Sequence, residues 1–164
     1  AAQHLRDARI APIYEGTNGI QAIDLVGRKL PMNGGDVVRG YIDELRAVVA
    51  AASATGDDGF MRAADQTKRA LDDLSAATDW ILKSGNSAMD QVLAGATPYL
   101  RLFGIAAGGA YLLKGALAAS GDPDAAMRKA VSLFFGANMS PQTSGLLASV
   151  TDAADTLPSA DQFA

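Results

Sequence analysis

Between residues 58 and 83, Phe60, Ala64, Thr67, Leu71, Leu74, Thr78 and Ile81 recur every three or four positions. Side chains at that spacing share one face of an α-helix, whereas a half-buried strand needs alternation by twos. The run covers about seven helical turns. A helix that long with one apolar seam must be covered along its whole length, so the rest of the chain has to supply helices to match.

The remaining sequence reads that way. Residues 1–10 are polar-helical, and Pro12 interrupts them. A second helix is expected to open near Thr17 or Asn18, with Asn18 and Gln21 at capping-box spacing, and to carry Ile20, Ile23, Leu25, Val26 and Leu30. Pro31 and Asn33-Gly34-Gly35 end it and mark the main internal boundary. A third helix follows Asp36, with Val37, Val38, Tyr41, Ile42, Leu45, Val48 and Val49 at near-helical spacing. Ser87 with Asp90 predicts the cap of one long helix over residues 87–119, kinked at Pro98. Gly121-Asp122-Pro123 and Ser140-Pro141 each join a cap to a proline and predict the starts of the last two helices. The expected fold is all-α: an up-and-down helical bundle over residues 36–164, preceded by a helical segment over residues 1–33.

Composition removes several classes of function. The 164 residues include no cysteine and a single histidine, His4, so a thiolate nucleophile and a Cys- or His-built metal centre are excluded and no metal is expected. A net charge of −4 argues against nucleic acid and anionic membranes as partners. The longest unbroken apolar-and-glycine run, residues 102–113, is too short to span a bilayer and reads as a buried helix, with Gly104 and Gly108 allowing close packing. Absence of cysteine fits a reducing compartment, and a cytoplasmic location is expected. Trp80, Phe103, Phe134 and Phe135 are expected in the core, Asp57-Asp58 at a helix start, and Asp72-Asp73 on a solvated face.

Glu15 stands apart. It lies between Tyr14 and Gly16, with Ile10 and Ile13 just before and Thr17, Asn18 and Gly19 leading into a helix. A carboxylate there can simply favour the positive end of the helix dipole, by about 0.3–1 kcal/mol. The same pattern also suits a base. Burial among apolar groups raises a carboxyl pKa and improves it for proton abstraction. Gly16 leaves room for a substrate, and the free N–H groups of a helix start bind anions.

The segment "RDARIAPIYEGTNGIQ", residues 6–21, closely resembles the C-terminal signature of the flavin-dependent acyl-CoA dehydrogenases. Its continuation "AIDLVGRKL", residues 22–30, is similar to the branch with an extra C-terminal helical domain, to which the 3-methylmercaptopropionyl-CoA dehydrogenases belong. The resemblance implies that residues 1–33 end the family's helical catalytic domain and residues 36–164 form the extra bundle. It implies Glu15 as the base that removes the α-proton of an acyl-CoA, Gly16 and Tyr14 beside the substrate, and Thr17, Asn18 and Gly19 near the phosphates of FAD. It further implies electron-transfer flavoprotein as electron acceptor and a homo-oligomeric parent. The upstream domains of that family are absent, so the chain is expected to be a C-terminal fragment, inactive by itself; the alternative is a non-catalytic helical module for oligomerisation. Ile10, Ile13, Ile20, Ile23 and Val26 are then expected to pack on the bundle, pair with a second copy, or exchange between copies.

Overall fold

The computed structural model describes residues 2–10, 17–152, 156–158 and 162. Among them the fold is all-α, without a strand. The helices are α1 (Ala2–Ala8), α2 (Thr17–Asp24), α3 (Asp36–Ser53), α4 (Asp58–Ser84), α5 (Met89–Ala94), α6 (Ala96–Ala118), α7 (Ala125–Asn138) and α8 (Thr143–Thr151). A π-helical turn, Leu25–Lys29, extends α2, and 3-10 turns occupy Met32–Gly35 and Ser140–Gln142.

The seam on α4 is buried from Ala64 through Ile81, with Phe60 partly covered at its start. Asp57 caps this helix, its carboxylate accepting from the Gly59 and Phe60 N–H groups at 2.9 and 3.0 Å. Lys129 pairs with the same carboxylate, and together these contacts hold Asp57 below the usual carboxylate range. Helix directions follow from which residues meet. Arg39 pairs with Asp79 and Arg46 with Asp72, so α3 and α4 are antiparallel. Thr78 meets Tyr99 while Gly109 faces Thr67, so α4 and α6 are antiparallel too. Lys129 sits at Asp57, Gly136 against Gln66, and Thr143 on Asp73. Helices α7 and α8 therefore form one broken rod running alongside α4, interrupted at Pro141. The result is the expected up-and-down bundle, in which α4 and α6 each touch both α3 and the α7–α8 rod. Its interior holds Ile42, Leu71, Leu74, Ile81, Tyr99, Leu102 and Leu113 in nearly complete burial. Each such aliphatic side chain stabilises the fold by roughly 1.5–3 kcal/mol.

Several local expectations are corrected. The helix predicted over residues 87–119 is two, and it breaks at Gly95 rather than kinking at Pro98. Gly95 is buried against Val150, whose carbonyl oxygen would lie 3.3 Å from an added Cβ, so α8 approaches the backbone closely here. Pro98 falls in the first turn of α6, where a missing N–H removes no helical bond. Ser87 does not cap α5; the preceding residue is Ala88, without a side-chain cap. Asp122-Pro123 forms a turn, with Ala125 N–H on the Asp122 carbonyl, and α7 starts only after Asp124. Ser140 is no cap either: its Oγ is buried without a partner among the described residues, and its carbonyl lies 2.7 Å from Thr143 Oγ1. Phe134 is 67% exposed rather than in the core, while Trp80, Phe103 and Phe135 are partly buried. Helix α6 is long and apolar enough to cross a membrane, although its longest unbroken run is short. In the structure it is packed by α2, α3, α4, α7 and α8.

Candidate active site

Tyr14, Glu15 and Gly16 lie outside the described residues. The helix that follows them is described, and it determines where the signature leads. Helix α2 begins at Thr17, so Asn18 belongs to its first turn instead of capping it. Asn18 and Gly19 are exposed, and a Cβ built on Gly19 meets nothing within 4 Å. First-turn N–H groups have no partner within a helix. Among the described residues the tip of α2 is thus exposed and uncrowded at Asn18 and Gly19, two of the residues predicted to lie near phosphate.

Two faces of this segment behave differently. Ala22, Val26 and Leu30 are almost wholly buried and join the core, with α2 packed on α6. Ile20 and Ile23 remain 62% and 45% exposed, and Ile10 is exposed too. Of the five residues expected to find cover on the bundle or on a second copy, four are described, and of these Val26 alone is covered within the chain; Ile13 lies outside the described residues. The anchor that the periodicity argument passed over is Ala22. Its signal was present: 22, 26 and 30 are spaced by fours, a stripe that a small alanine makes easy to overlook.

The π turn explains why the stripe holds. Leu30 N–H reaches the Leu25 carbonyl at 2.9 Å, five residues back. In an unbroken α-helix three residues spaced by fours would drift round the axis by about 80°. The wider turn takes up that drift and keeps Leu30 inward. Across the join Asp24 pairs with Arg28 and lies 3.3 Å from Lys29. The Arg28 hydrogen bond leads in lowering the Asp24 carboxyl below its ordinary range, opposed by partial burial and helped by Lys29.

Past the π turn, the chain reverses through Asn33, Gly34 and Gly35, all at positive φ. At Gly35 a Cβ would stand 2.5 Å from Leu82 Cδ1, the end of a side chain that can move aside, so glycine is favoured chiefly by the backbone angle. Val26, Gly27 and Pro31 meet Ile81, Leu82 and Gly85 around a small cavity of about 160 Å³. The segment is therefore fastened to the far end of α4, with its N-terminal tip left open.

Elsewhere, Asp72 and Asp73 hold neighbouring elements of the bundle together. Burial works to raise Asp72, but Lys68 and Arg46 outweigh it and leave the carboxyl lowered. Thr143 Oγ1 lies 2.7 Å from Asp73 Oδ2 as well as from the Ser140 carbonyl, so its one proton is shared between two acceptors. His4 is exposed on α1. Among the described residues no three His, Cys, Asp or Glu side chains come together as metal ligands would.

Residues 41–161 match the family described as acetyl-CoA dehydrogenase C-terminal like. Over 121 residues the chain is 38% identical to the 3-methylmercaptopropionyl-CoA dehydrogenase of Ruegeria pomeroyi, an alignment covering 74% of this chain and 20% of that protein. The chain thus spans about a fifth of that relative's length. No solved structure matches it.

Proposed function

Because this chain belongs to the acyl-CoA dehydrogenase family, through the helical region at that family's C-terminus, we propose that it is the closing part of an enzyme that oxidises an acyl-CoA to the 2,3-enoyl-CoA. In this reading residues 1–33 complete the catalytic domain and residues 36–164 form an appended bundle.

Glu15 takes the α-proton of the thioester. Gly16 leaves room for the substrate, and Tyr14 lines the acyl pocket. Thr17, Asn18 and Gly19 hold the phosphates of FAD through first-turn N–H groups. The described residues fit that part of the cofactor, since Asn18 and Gly19 are exposed and the space around Gly19 is clear. Bound FAD supplies the acceptor for the β-hydride, and electron-transfer flavoprotein would reoxidise it. The observation that carries the proposal is the α2 tip. It is open at Asn18 and Gly19, while Ala22, Val26 and Leu30 pin the opposite face to the bundle. Such anchoring lets the bundle fix the direction of the catalytic segment.

The test uses the full-length protein with Glu15→Gln. Turnover should fall by about 10²–10⁴-fold, the usual contribution of a positioned base. Flavin content and acyl-CoA binding should persist. Normal turnover in that variant would rule the assignment out.

A second reading gives the bundle a role in self-association. It is favoured by an exposed apolar face on α7 and is compatible with the first.

A further inference from the structure

Four exposed large hydrophobic side chains gather on one surface of the bundle, away from α2. Met127, Val131 and Phe134 recur along the outer face of α7 and are 57%, 42% and 67% exposed. Met61 on α4, 46% exposed, stands beside them. Between the two helices runs an open groove of about 860 Å³, lined by Asp58, Met61, Arg62, Gln66, Leu133 and Phe134 among others. Single exposed apolar residues are ordinary, but a contiguous group flanking a groove marks a contact surface.

The charges here narrow the choice of occupant. Most of the neighbouring charges are matched within the chain: Asp57 with Lys129, Asp65 with Arg69, Asp124 with Arg128. Asp58 and Arg62 both line the groove, both are exposed, and neither joins an ion pair among the described residues. One surface thus offers an aromatic knob, a groove to receive one, a free cation and a free anion. A two-fold contact requires that self-complementarity, because each patch meets its own copy.

We infer that this α4–α7 surface is a two-fold interface between two copies of the chain. Phe134 of each copy enters the other's groove, and Arg62 faces Asp58 of the partner subunit. The upstream part of the protein is a poorer occupant. Residues 17–30 join the bundle near Ile81 and Leu82, nineteen residues along α4 from Arg62, or about 28 Å. The inference rests on the self-association reading, to which it assigns a surface, and not on the catalytic one.

Sedimentation velocity of the chain over a range of concentrations tests it. A dimer is expected, and Phe134→Glu should weaken it by about 30-fold or more, the effect of a central interface residue. Arg62→Asp should weaken it too, and adding Asp58→Arg should restore it by exchanging the two charges. All three side chains are exposed, so circular dichroism should show unchanged helix content. A chain that stays monomeric would overturn the inference. So would a dimer insensitive to Phe134→Glu but lost on Ile20→Glu, which would place the contact on α2. Failure of the charge exchange to restore association would overturn the two-fold arrangement.

Discussion

The Tyr99 hydroxyl lies 2.7 Å from Thr78 Oγ1, and this buried contact ties α6 to α4 at the centre of the bundle. Thr78 Oγ1 also lies 2.7 Å from the Leu74 carbonyl, which can only accept. The threonine has one proton to give, so Tyr99 donates to Thr78. Burial pushes the Tyr99 phenol above its ordinary value. Tyr99→Phe should destabilise the chain by about 0.5–1.5 kcal/mol in urea unfolding, the net value of one hydrogen bond. Thr78→Val leaves the phenol buried without an acceptor and should cost more, about 1–3 kcal/mol. The double variant should cost less than the two together. Strict additivity would show that the two hydroxyls are not coupled.

The two faces of the α2 segment should separate cleanly by substitution. Leu30 is 1% exposed and Ile20 62%. Leu30→Ala should lower stability by about 2–5 kcal/mol. Ile20→Ala should stay within about 0.5 kcal/mol of the parent. Equal effects would mean that α2 does not sit on α6 as described.

Gly34 and Gly35 both have positive φ, yet they should respond differently to alanine. Gly34 faces open space, so Gly34→Ala pays only for a left-handed backbone, about 1–2 kcal/mol. At Gly35 the new methyl must also push aside the ends of Leu82 and Arg39, both flexible side chains, so Gly35→Ala should cost somewhat more and shift the join between the segment and α4. Thermal unfolding of the two variants side by side measures the difference.

Tyr41 predicts an alkaline limb. Its ring stacks on Phe103, and its hydroxyl is 3.4 Å from that of Tyr111. Burial first, then Tyr111 and Glu44, push the phenol up to about 12. A phenol raised on folding stabilises the native state fully below its unfolded value of about 10. That contribution is lost as pH rises from there through the folded value. The chain should therefore lose stability between about pH 10 and 12, and Tyr41→Phe should flatten this limb. An identical pH profile in the variant would contradict the shift.

The parts of the fold legible in the sequence are those where local chemistry and packing agree. On α4, the residues from Ala64 to Ile81 carry both the period and the burial, and Asp57 caps as its position suggests. Legibility fails where a distant element decides. Gly95 rather than Pro98 breaks the long helix, because α8 presses on that backbone and a first-turn proline does no harm. Ala22 is buried while the bulkier Ile20 and Ile23 are not, because α6 lies on one side only. Phe134 looks like core by type, yet Ser132 and Gly136 face inward and the helix turns its aromatic out. At the candidate site, the signature named Glu15 and the residues after it. The anchoring of α2 was half readable, as the stripe at 22, 26 and 30; that the stripe stays on one face was not, because it depends on a π turn that no short pattern announces.

That π turn amounts to one residue more than a regular helix would use over Leu25–Lys29. Removing a residue there would tighten the turn and swivel everything N-terminal to it by about 100° relative to the bundle. That swing would lift Ala22 off the core it shares with α6. The joint is thus intolerant of length change: a single-codon deletion here would cost α2 its seat without altering any residue of the bundle.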